Sequence, residues 1–322
     1  MSSYKIEIQP AGIKFSSIEN LLEDALSQSI PLEHSCKMGD CGACSAEVLS
    51  GTVENEHGVL VTEGVILTCK SKAKTDVMLK ANYYPELISI KQQTIPCKVA
   101  SYSFVTEDIV SITFRYPPTA KFDYLSGQYV DLSFNGIKRS YSIANAKTES
   151  KELELHIRKV PNGKMSELIF SQLKENQLMR LEGPKGTFFV RDGNNPLILI
   201  ATGTGIAPIK AIVEELLLKG DNRELYIYWG MQFAKELYCH ELIELAKTHE
   251  HIKFTAALSR EVTDEHFNGY VQDAVKNDFP SLSHVEVYAC GSLKMINEAK
   301  IAFSNLHLPL DAFFADAFTP SK

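Results

Sequence analysis

Cys36-Lys37-Met38-Gly39-Asp40-Cys41-Gly42-Ala43-Cys44 places three thiols in one short loop with the spacing C-x4-C-x2-C, and Cys69, in Leu67-Thr68-Cys69-Lys70, stands 25 positions past Cys44. This is the spacing of a plant-type 2Fe–2S site. Two irons and two bridging sulfides form a compact rhomb that needs four thiolates, and a tight loop supplies three of them only if its backbone wraps the inorganic sulfur. Gly39 and Gly42 let the backbone come close and point N–H groups at sulfur, and such dipoles stabilise an anionic cluster. The competing assignment is structural zinc, but zinc sites usually pair two C-x2-C knuckles, and here the fourth cysteine stands alone. Cys36, Cys41, Cys44 and Cys69 are therefore the candidate metal ligands. Ser35 and Asp40 either tune the cluster or are ordinary loop residues.

The surroundings of this loop, residues 1–92, read as a small α+β domain. Tyr4-Lys5-Ile6-Glu7-Ile8 alternates as a strand does. Ser16-Ser17-Ile18-Glu19 resembles a capping box, after which Ile18, Leu21, Leu22, Ala25 and Leu26 recur at helical spacing. Strand-like stretches follow at 46–49 and 65–67, and the span from Tyr83 to about Pro96 reads as a linker.

Residues 93–192 are mainly β. Val110–Phe114, Tyr129–Phe134 and Leu153–Arg158 are period-2 or β-rich runs separated by Pro117-Pro118, Asn135-Gly136, Pro161-Asn162-Gly163 and Gly183-Pro184, with a helix predicted near Ser166–Lys174. The pattern predicts an antiparallel barrel. A flavin needs an aromatic wall, a cation near its pyrophosphate and donors at its polar edge. Arg139-Ser140-Tyr141-Ser142 offers all three on one strand, with Arg139 and Tyr141 expected on one face and Ser140 and Ser142 on the other. Gly163-Lys164-Met165-Ser166 opens a helix, and Gly163 with Ser166 as N-cap would present N–H groups to a pyrophosphate. A plain N-cap is the other use of that serine. His156 joins this candidate set.

From residue 193 to residue 322 the rhythm changes to strand–helix alternation, which predicts an open parallel α/β sheet. Strands are expected at Leu197–Ala201, Leu225–Trp229, Lys253–Leu258 and Val285–Ala289, and a helix at Pro208–Lys219. Thr202-Gly203-Thr204-Gly205-Ile206-Ala207-Pro208 joins the first strand to that helix as a phosphate site does, although it lacks the G-x-G-x-x-G fingerprint. Gly203, Thr204 and Gly205 are the candidate contacts, unless the glycines serve packing alone. Cys290-Gly291-Ser292 follows another strand's C-terminal end, so Cys290 is either a nicotinamide neighbour or a small buried residue. Glu236 is placed to accept from ribose hydroxyls or lies on a solvated face, and Lys235 beside it sends the opposite signal about a 2′-phosphate. The aromatic tail Phe313–Phe318 either covers the flavin or pins the chain end.

Of 322 residues, 44% are hydrophobic and 23% charged, with a net charge of −7. That is the balance of a folded soluble chain, and it argues against a nucleic-acid partner. The N-terminus, Met1-Ser2-Ser3-Tyr4-Lys5-Ile6, lacks a signal-peptide core, and the apolar runs are too short to span a bilayer. The expected location is the cytoplasm, where seven cysteines, four of them bunched, point to metal ligation rather than disulfides.

In the order cysteine cluster, Arg139-Ser140-Tyr141-Ser142, Gly203-Thr204-Gly205-Ile206-Ala207-Pro208 and Cys290-Gly291-Ser292, the whole chain resembles the ferredoxin–NADP reductase superfamily, in the branch with an N-terminal plant-type ferredoxin domain. Further stretches resemble the reductases that serve a CDP-6-deoxy-L-threo-D-glycero-4-hexulose 3-dehydrase. These are His34-Ser35-Cys36-Lys37, Ala81–Leu87, Tyr116–Lys121, Glu182–Phe189, Ile227–Met231 and the tail Asp316-Ala317-Phe318-Thr319-Pro320-Ser321-Lys322. The resemblance implies a β-grasp ferredoxin-like domain, FAD and NADH (with NADPH open) as cofactors beside the cluster, and a pyridoxamine-phosphate dehydrase of O-antigen lipopolysaccharide synthesis as electron acceptor. It implies that Arg139, Tyr141 and Ser142 hold the flavin, that Gly203, Thr204, Gly205 and Gly291 meet the dinucleotide, and that Cys290, Asp316 and Phe318 lie at the hydride-transfer site. Two departures stand out. Thr202 replaces the first glycine of the superfamily's frequent Gly-Gly-Thr-Gly, and either narrows the turn or points away from it. Asp316 stands in the stretch where a glutamate is frequent. An oxygenase or monooxygenase partner, or a carrier without turnover, are the other functions this domain order allows.

Overall fold

The computed structural model describes residues 2–318, so Met1 and the final Thr319-Pro320-Ser321-Lys322 of the tail quoted above lie outside the described residues. The chain divides into two compact units, Met1–Lys91 and Gln92–Lys322.

The first unit contains β1 (Tyr4–Gln9), β2 (Ile13–Ser17), α1 (Leu21–Ser27), β3 (Ser45–Ser50), β4 (Val53–Glu54), β5 (Leu60–Val61), β6 (Gly64–Leu67), β7 (Lys72–Ala73) and β8 (Val77–Lys80). Its main sheet has the order β2-β1-β8-β3-β6, with β5-β4-β7 as a small second sheet. The β1–β8 pair is parallel and its neighbours are antiparallel, as in the expected β-grasp fold. Leu21, Leu22 and Ala25 of α1 share one core with Ile6, Ile8, Val48 and Leu79. The capping-box expectation fails here. Ser16 and Ser17 belong to β2, and Asn20 caps α1 by accepting from the N–H of Leu22 at 3.1 Å and of Glu23 at 3.0 Å. The Asp24 carboxylate takes the Ser17 hydroxyl and the N–H groups of Ile18 and Glu19, which holds that segment out of the helix and leaves Ile18 exposed.

In the second unit β9 (Gln93–Phe104), β10 (Ile109–Arg115), β11 (Tyr129–Phe134), β12 (Ile137–Ser142), β13 (Glu152–Arg158) and β14 (Leu178–Lys185) form an antiparallel sheet in the order β12-β11-β14-β9-β10-β13, with α2 (Lys164–Gln172) between β13 and β14. A bridge between Ile143, just past β12, and Leu155 of β13 joins the sheet's two ends and curls it into a barrel. The presumed linker therefore ends earlier than its prolines suggested, since Pro96 lies inside β9. Residues 93–98 of β9 pair with β14, and pairing with β10 begins only at Lys98. A missing N–H is tolerated where one side of a strand is unpaired.

The remaining strands are all parallel: β15 (Leu197–Thr202), β16 (Leu225–Met231), β17 (Ile252–Leu258), β18 (Phe267–Asn268), β19 (Glu286–Ser292) and β20 (Phe313–Phe318), in the order β18-β17-β16-β15-β19-β20. Helices α3 (Ile206–Leu218), α4 (His240–Thr248), α5 (Val271–Asp278) and α6 (Leu293–Ser304) connect them. β15 is central and both neighbouring strands run parallel to it, so the order reverses there and opens a crevice at its C-terminal end. The aromatic tail is itself a strand. β20 pairs with β19 in the register Cys290↔Asp316 and Ser292↔Phe318, and Phe314 stacks on Tyr288 with centroids 4.7 Å apart.

Candidate functional site

The cysteine loop is wrapped by left-handed backbone at Lys37 (φ 55), Gly39 (φ 90) and Gly42 (φ 71). These turns aim N–H groups inward. The Met38 N–H lies 3.3 Å from Cys36 Sγ, and the N–H groups of Asp40 and Cys41 also favour the Cys36 thiolate. Ala43 does the same for Cys41, and Gly39 for Cys69. Cys44 Sγ is 3.1 Å from Cys69 Sγ. The hydrogen bond with Cys41 pulls Cys36 down to about 5, and the contact with Cys69 lowers Cys44 to about 7. Four thiols in two close pairs, within a nest of backbone donors, fit an anionic cluster that takes four thiolates. Asn20 Nδ2 donates to the Cys69 carbonyl at 2.9 Å, so the cap of α1 also anchors the fourth cysteine.

On the barrel, Arg139 and Tyr141 are half-buried on β12, Ser142 is buried and Ser140 is exposed. Arg139 and Tyr141 stand two positions apart on that strand, and burial pushes the Tyr141 phenol upward while the Arg139 guanidinium pulls it back. Ser140 instead donates to Asp131 at 2.6 Å. The Gly163–Ser166 segment differs from expectation. Gly163 is the N-cap, α2 starts at Lys164, and Ser166 sits inside the first turn. Its hydroxyl accepts from the Val160 N–H at 3.1 Å and donates to the Gly163 carbonyl at 2.9 Å. Met165 packs its side chain into the barrel core. What Lys164, Met165 and Ser166 offer a phosphate is therefore their N–H groups, which have no partner within the helix. An aromatic wall, a cation and a free helix N-terminus on one barrel fit a flavin nucleotide. His156 is buried with Nε2 2.8 Å from Glu154 and Nδ1 3.0 Å from the Tyr238 hydroxyl, so both ring nitrogens already have protein partners.

At the switch point lies a cavity of about 470 Å³ whose wall includes Arg158, Gly203, Thr204, Ser292 and Phe318. Gly203–Gly205 form a single 3-10 turn leading directly into α3. Gly205 packs against the next strand so closely that a Cβ there would stand 2.3 Å from the Cys290 carbonyl oxygen. Thr202 resolves its alternative. Its Oγ1 accepts the Ser292 N–H at 3.1 Å, and its methyl faces Gly230. The side chain thus lies across the ends of β16 and β19, and Gly291 (φ 137) has no room for a Cβ because Thr202 Oγ1 would be 2.3 Å from it. Cys290, Gly291 and Ser292 are the last residues of β19 rather than a loop after it. Cys290 is fully buried behind the cavity wall, and burial, with Asp316 alongside, pushes its thiol well up. Asp316 is buried as well, whereas Phe318 is partly exposed at the cavity. Glu236 also reaches the cavity, its carboxylate fixed by the N–H groups of Gln232 at 3.0 Å and Phe233 at 3.2 Å.

A buried ionic network joins barrel to sheet, and the sequence reading missed it. Lys210 of α3, 6% exposed, pairs with Glu154 at 2.8 Å and Glu214 at 2.9 Å and donates to the Ala144 carbonyl at 3.2 Å. Burial opposes a charged Glu154, but the His156 ring and the Lys210 ammonium outweigh it and hold the carboxyl down at about 2. Glu214 and Glu215 accept the N–H groups of Ala146 and Ser126, both at 2.9 Å. The available signal was Lys210 interrupting the apolar run Ile206–Leu218 four residues before Glu214. Arg158, another omission, pairs with Asp108 at 2.7 Å and stands beside Gly203.

Three family descriptions match along the chain: 2Fe-2S iron-sulfur cluster binding domain at 6–74, Oxidoreductase FAD-binding domain at 96–190 and Oxidoreductase NAD-binding domain at 199–300. The chain is 48% identical to the CDP-6-deoxy-L-threo-D-glycero-4-hexulose-3-dehydrase reductase of Yersinia pseudotuberculosis serotype I, covering 99% of this chain and 100% of the relative. It is 32% identical to the reductase component of propane 2-monooxygenase from Mycolicibacterium goodii, over 98% of this chain and 97% of that one. Among solved structures, the Amycolatopsis cytochrome P450 reductase GcoB superposes with a TM-score of 0.79 at 27% identity, covering 98% of this chain and 99% of that one.

Proposed function

The chain belongs to the ferredoxin–NADP reductase superfamily, in the branch of iron–sulfur flavoprotein reductases that carry an N-terminal plant-type ferredoxin domain, and on that premise we propose that its electron acceptor is a pyridoxamine-phosphate-dependent CDP-6-deoxy-hexulose 3-dehydrase. Bound FAD would supply the chemistry that converts a two-electron hydride donor into a source of single electrons, and a 2Fe–2S cluster held by the four cysteines would supply the one-electron carrier. The observation that carries the choice of acceptor is the 48% identity, end to end, with a reductase named for such a dehydrase. On this reading the chain serves the making of a 3,6-dideoxy sugar of O-antigen.

The residues divide the work as follows. Cys36, Cys41, Cys44 and Cys69 hold the cluster in unit 1–92. In 93–192, Arg139 balances the flavin pyrophosphate together with the N–H groups of Lys164, Met165 and Ser166, Tyr141 walls the ring, and Ser142 meets its polar edge. In 193–322, the N–H groups of Gly203, Thr204 and Gly205 take the dinucleotide phosphates, and Arg158 beside that turn balances their charge. Phe318 covers the reaction face, with Cys290 and Asp316 behind it. Glu236, fixed at the rim, accepts from free ribose hydroxyls and repels a 2′-phosphate, which favours NADH over NADPH.

The test combines the purified chain, NADH, the dehydrase in its pyridoxamine form and the CDP-6-deoxy-hexulose. Formation of the 3-deoxy product at a rate set by the reductase concentration is expected. Failure there, with efficient reduction of an oxygenase component, would favour the second reading, which the similarity to a propane 2-monooxygenase reductase supports. NADH-driven reduction of ferricyanide separates both from a carrier without turnover.

A further inference from the structure

Trp229 is the only tryptophan in the chain, and it is completely buried. An indole N–H is a donor with no acceptor capacity and needs a partner when buried. Here the partner is the Gly203 carbonyl, at 2.9 Å. The same oxygen also receives the N–H of Ile206 at the start of α3, so both of its lone pairs are used. Gly203 has φ 58, a conformation glycine enters and leaves easily, so the indole adds a second restraint to the one Ile206 supplies. The indole is itself held edge-on by Tyr238, with centroids 5.2 Å apart and planes at 87°. The Tyr238 hydroxyl reaches His156 on β13 of the barrel.

The carbonyl of Gly203 and the N–H of Thr204 belong to one planar trans peptide and point in opposite directions. Pinning the oxygen inward on Trp229 therefore turns the Thr204 N–H outward, and Thr204 lines the cavity. We propose that Trp229 is the positioning residue of the nucleotide turn: its indole fixes the Gly203–Thr204 peptide plane so that the turn's donors face an incoming pyrophosphate. It touches neither cofactor and acts through the turn. The proposal rests on the reading of this cavity as the nicotinamide dinucleotide site.

The test uses the flavin- and cluster-loaded full chain with NAD+ as the probe. Trp229→Phe keeps the aromatic body and removes the donor. It is expected to bind NAD+ about tenfold more weakly by calorimetry, the cost of one lost hydrogen bond, with flavin and iron content unchanged. A purely structural role would lower the melting temperature and leave the dissociation constant alone, and that result overturns the proposal. The wild type gives a second readout that needs no variant. Its single indole N–H resonance should shift saturably with NAD+, with a midpoint equal to the calorimetric constant. A resonance that stays fixed at saturating NAD+ also overturns the proposal. A wild type that binds no NAD+ at all removes the reading of the cavity, and Trp229's role with it.

Discussion

At the scale of single residues, the site is set by where a side chain or a Cβ has no alternative. Cys41 is the middle thiol of the loop and the partner that draws Cys36 towards thiolate. Cys41→Ala should abolish the iron–sulfur absorbance while flavin bleaching by NADH persists, and an intact iron–sulfur spectrum in that variant would refute its place as a ligand. Gly205 has an ordinary backbone conformation but no space, since an added Cβ would meet the Cys290 carbonyl oxygen at 2.3 Å. Gly205→Ala should force the turn from the β19 backbone and raise the KM for NADH by about tenfold or more, because displacing donors by even an ångström weakens their bonds steeply. Steady-state kinetics with the flavin content held equal would show it. Glu236→Gln removes the charge proposed to oppose a 2′-phosphate and should narrow the preference for NADH over NADPH by about tenfold, a loss of roughly 1.4 kcal/mol in discrimination. An unaltered ratio of kcat/KM values would exclude Glu236 as the discriminating group.

At the scale of elements, α3 does two jobs. Its N-terminus closes the glycine turn proposed to take the dinucleotide, and its flank carries Lys210, Glu214 and Glu215, which are bonded to the barrel. Removing one partner of a buried pair leaves the other uncompensated, so Lys210→Met should cost about 3–5 kcal/mol, seen as a lower midpoint in chemical denaturation. The pH dependence has a definite sign. Glu154 is held at about 2, below its ordinary 4.5, so the folded state binds fewer protons there than the unfolded state. Its contribution is complete above pH ~4.5 and is lost as pH falls towards ~2. The stability gap between wild type and Glu154→Gln should therefore shrink across that window, as thermal melts in a pH series would record.

At the scale of the whole molecule, the division at Lys91 and Gln92 separates the cysteine loop from the residues proposed to hold the flavin and the dinucleotide. A chain beginning at Gln92 should retain bound flavin and NADH–ferricyanide activity but fail to deliver electrons to the acceptor protein. Retained delivery would mean that the cluster is dispensable.

The sequence by itself determined what depends on local spacing and period. The cysteine loop, the alternating barrel strands, the glycine turn after β15 and the strand–helix rhythm were all legible, because neighbouring residues create those signals. Boundaries slipped where a side chain competed with the helix for backbone N–H groups, as when Asp24 drew Ile18 and Glu19 out of α1 and Asn20 became the cap. Only the tertiary structure decided that Phe313–Phe318 pairs beside Cys290 as a strand, that Thr202 braces Gly230 and Gly291, and that Lys210 is buried between two carboxylates. Each of these features includes a contact between residues tens of positions apart, such as Lys210 with Glu154, and their energy comes from desolvation and close contact, which exist only once the sheets have assembled.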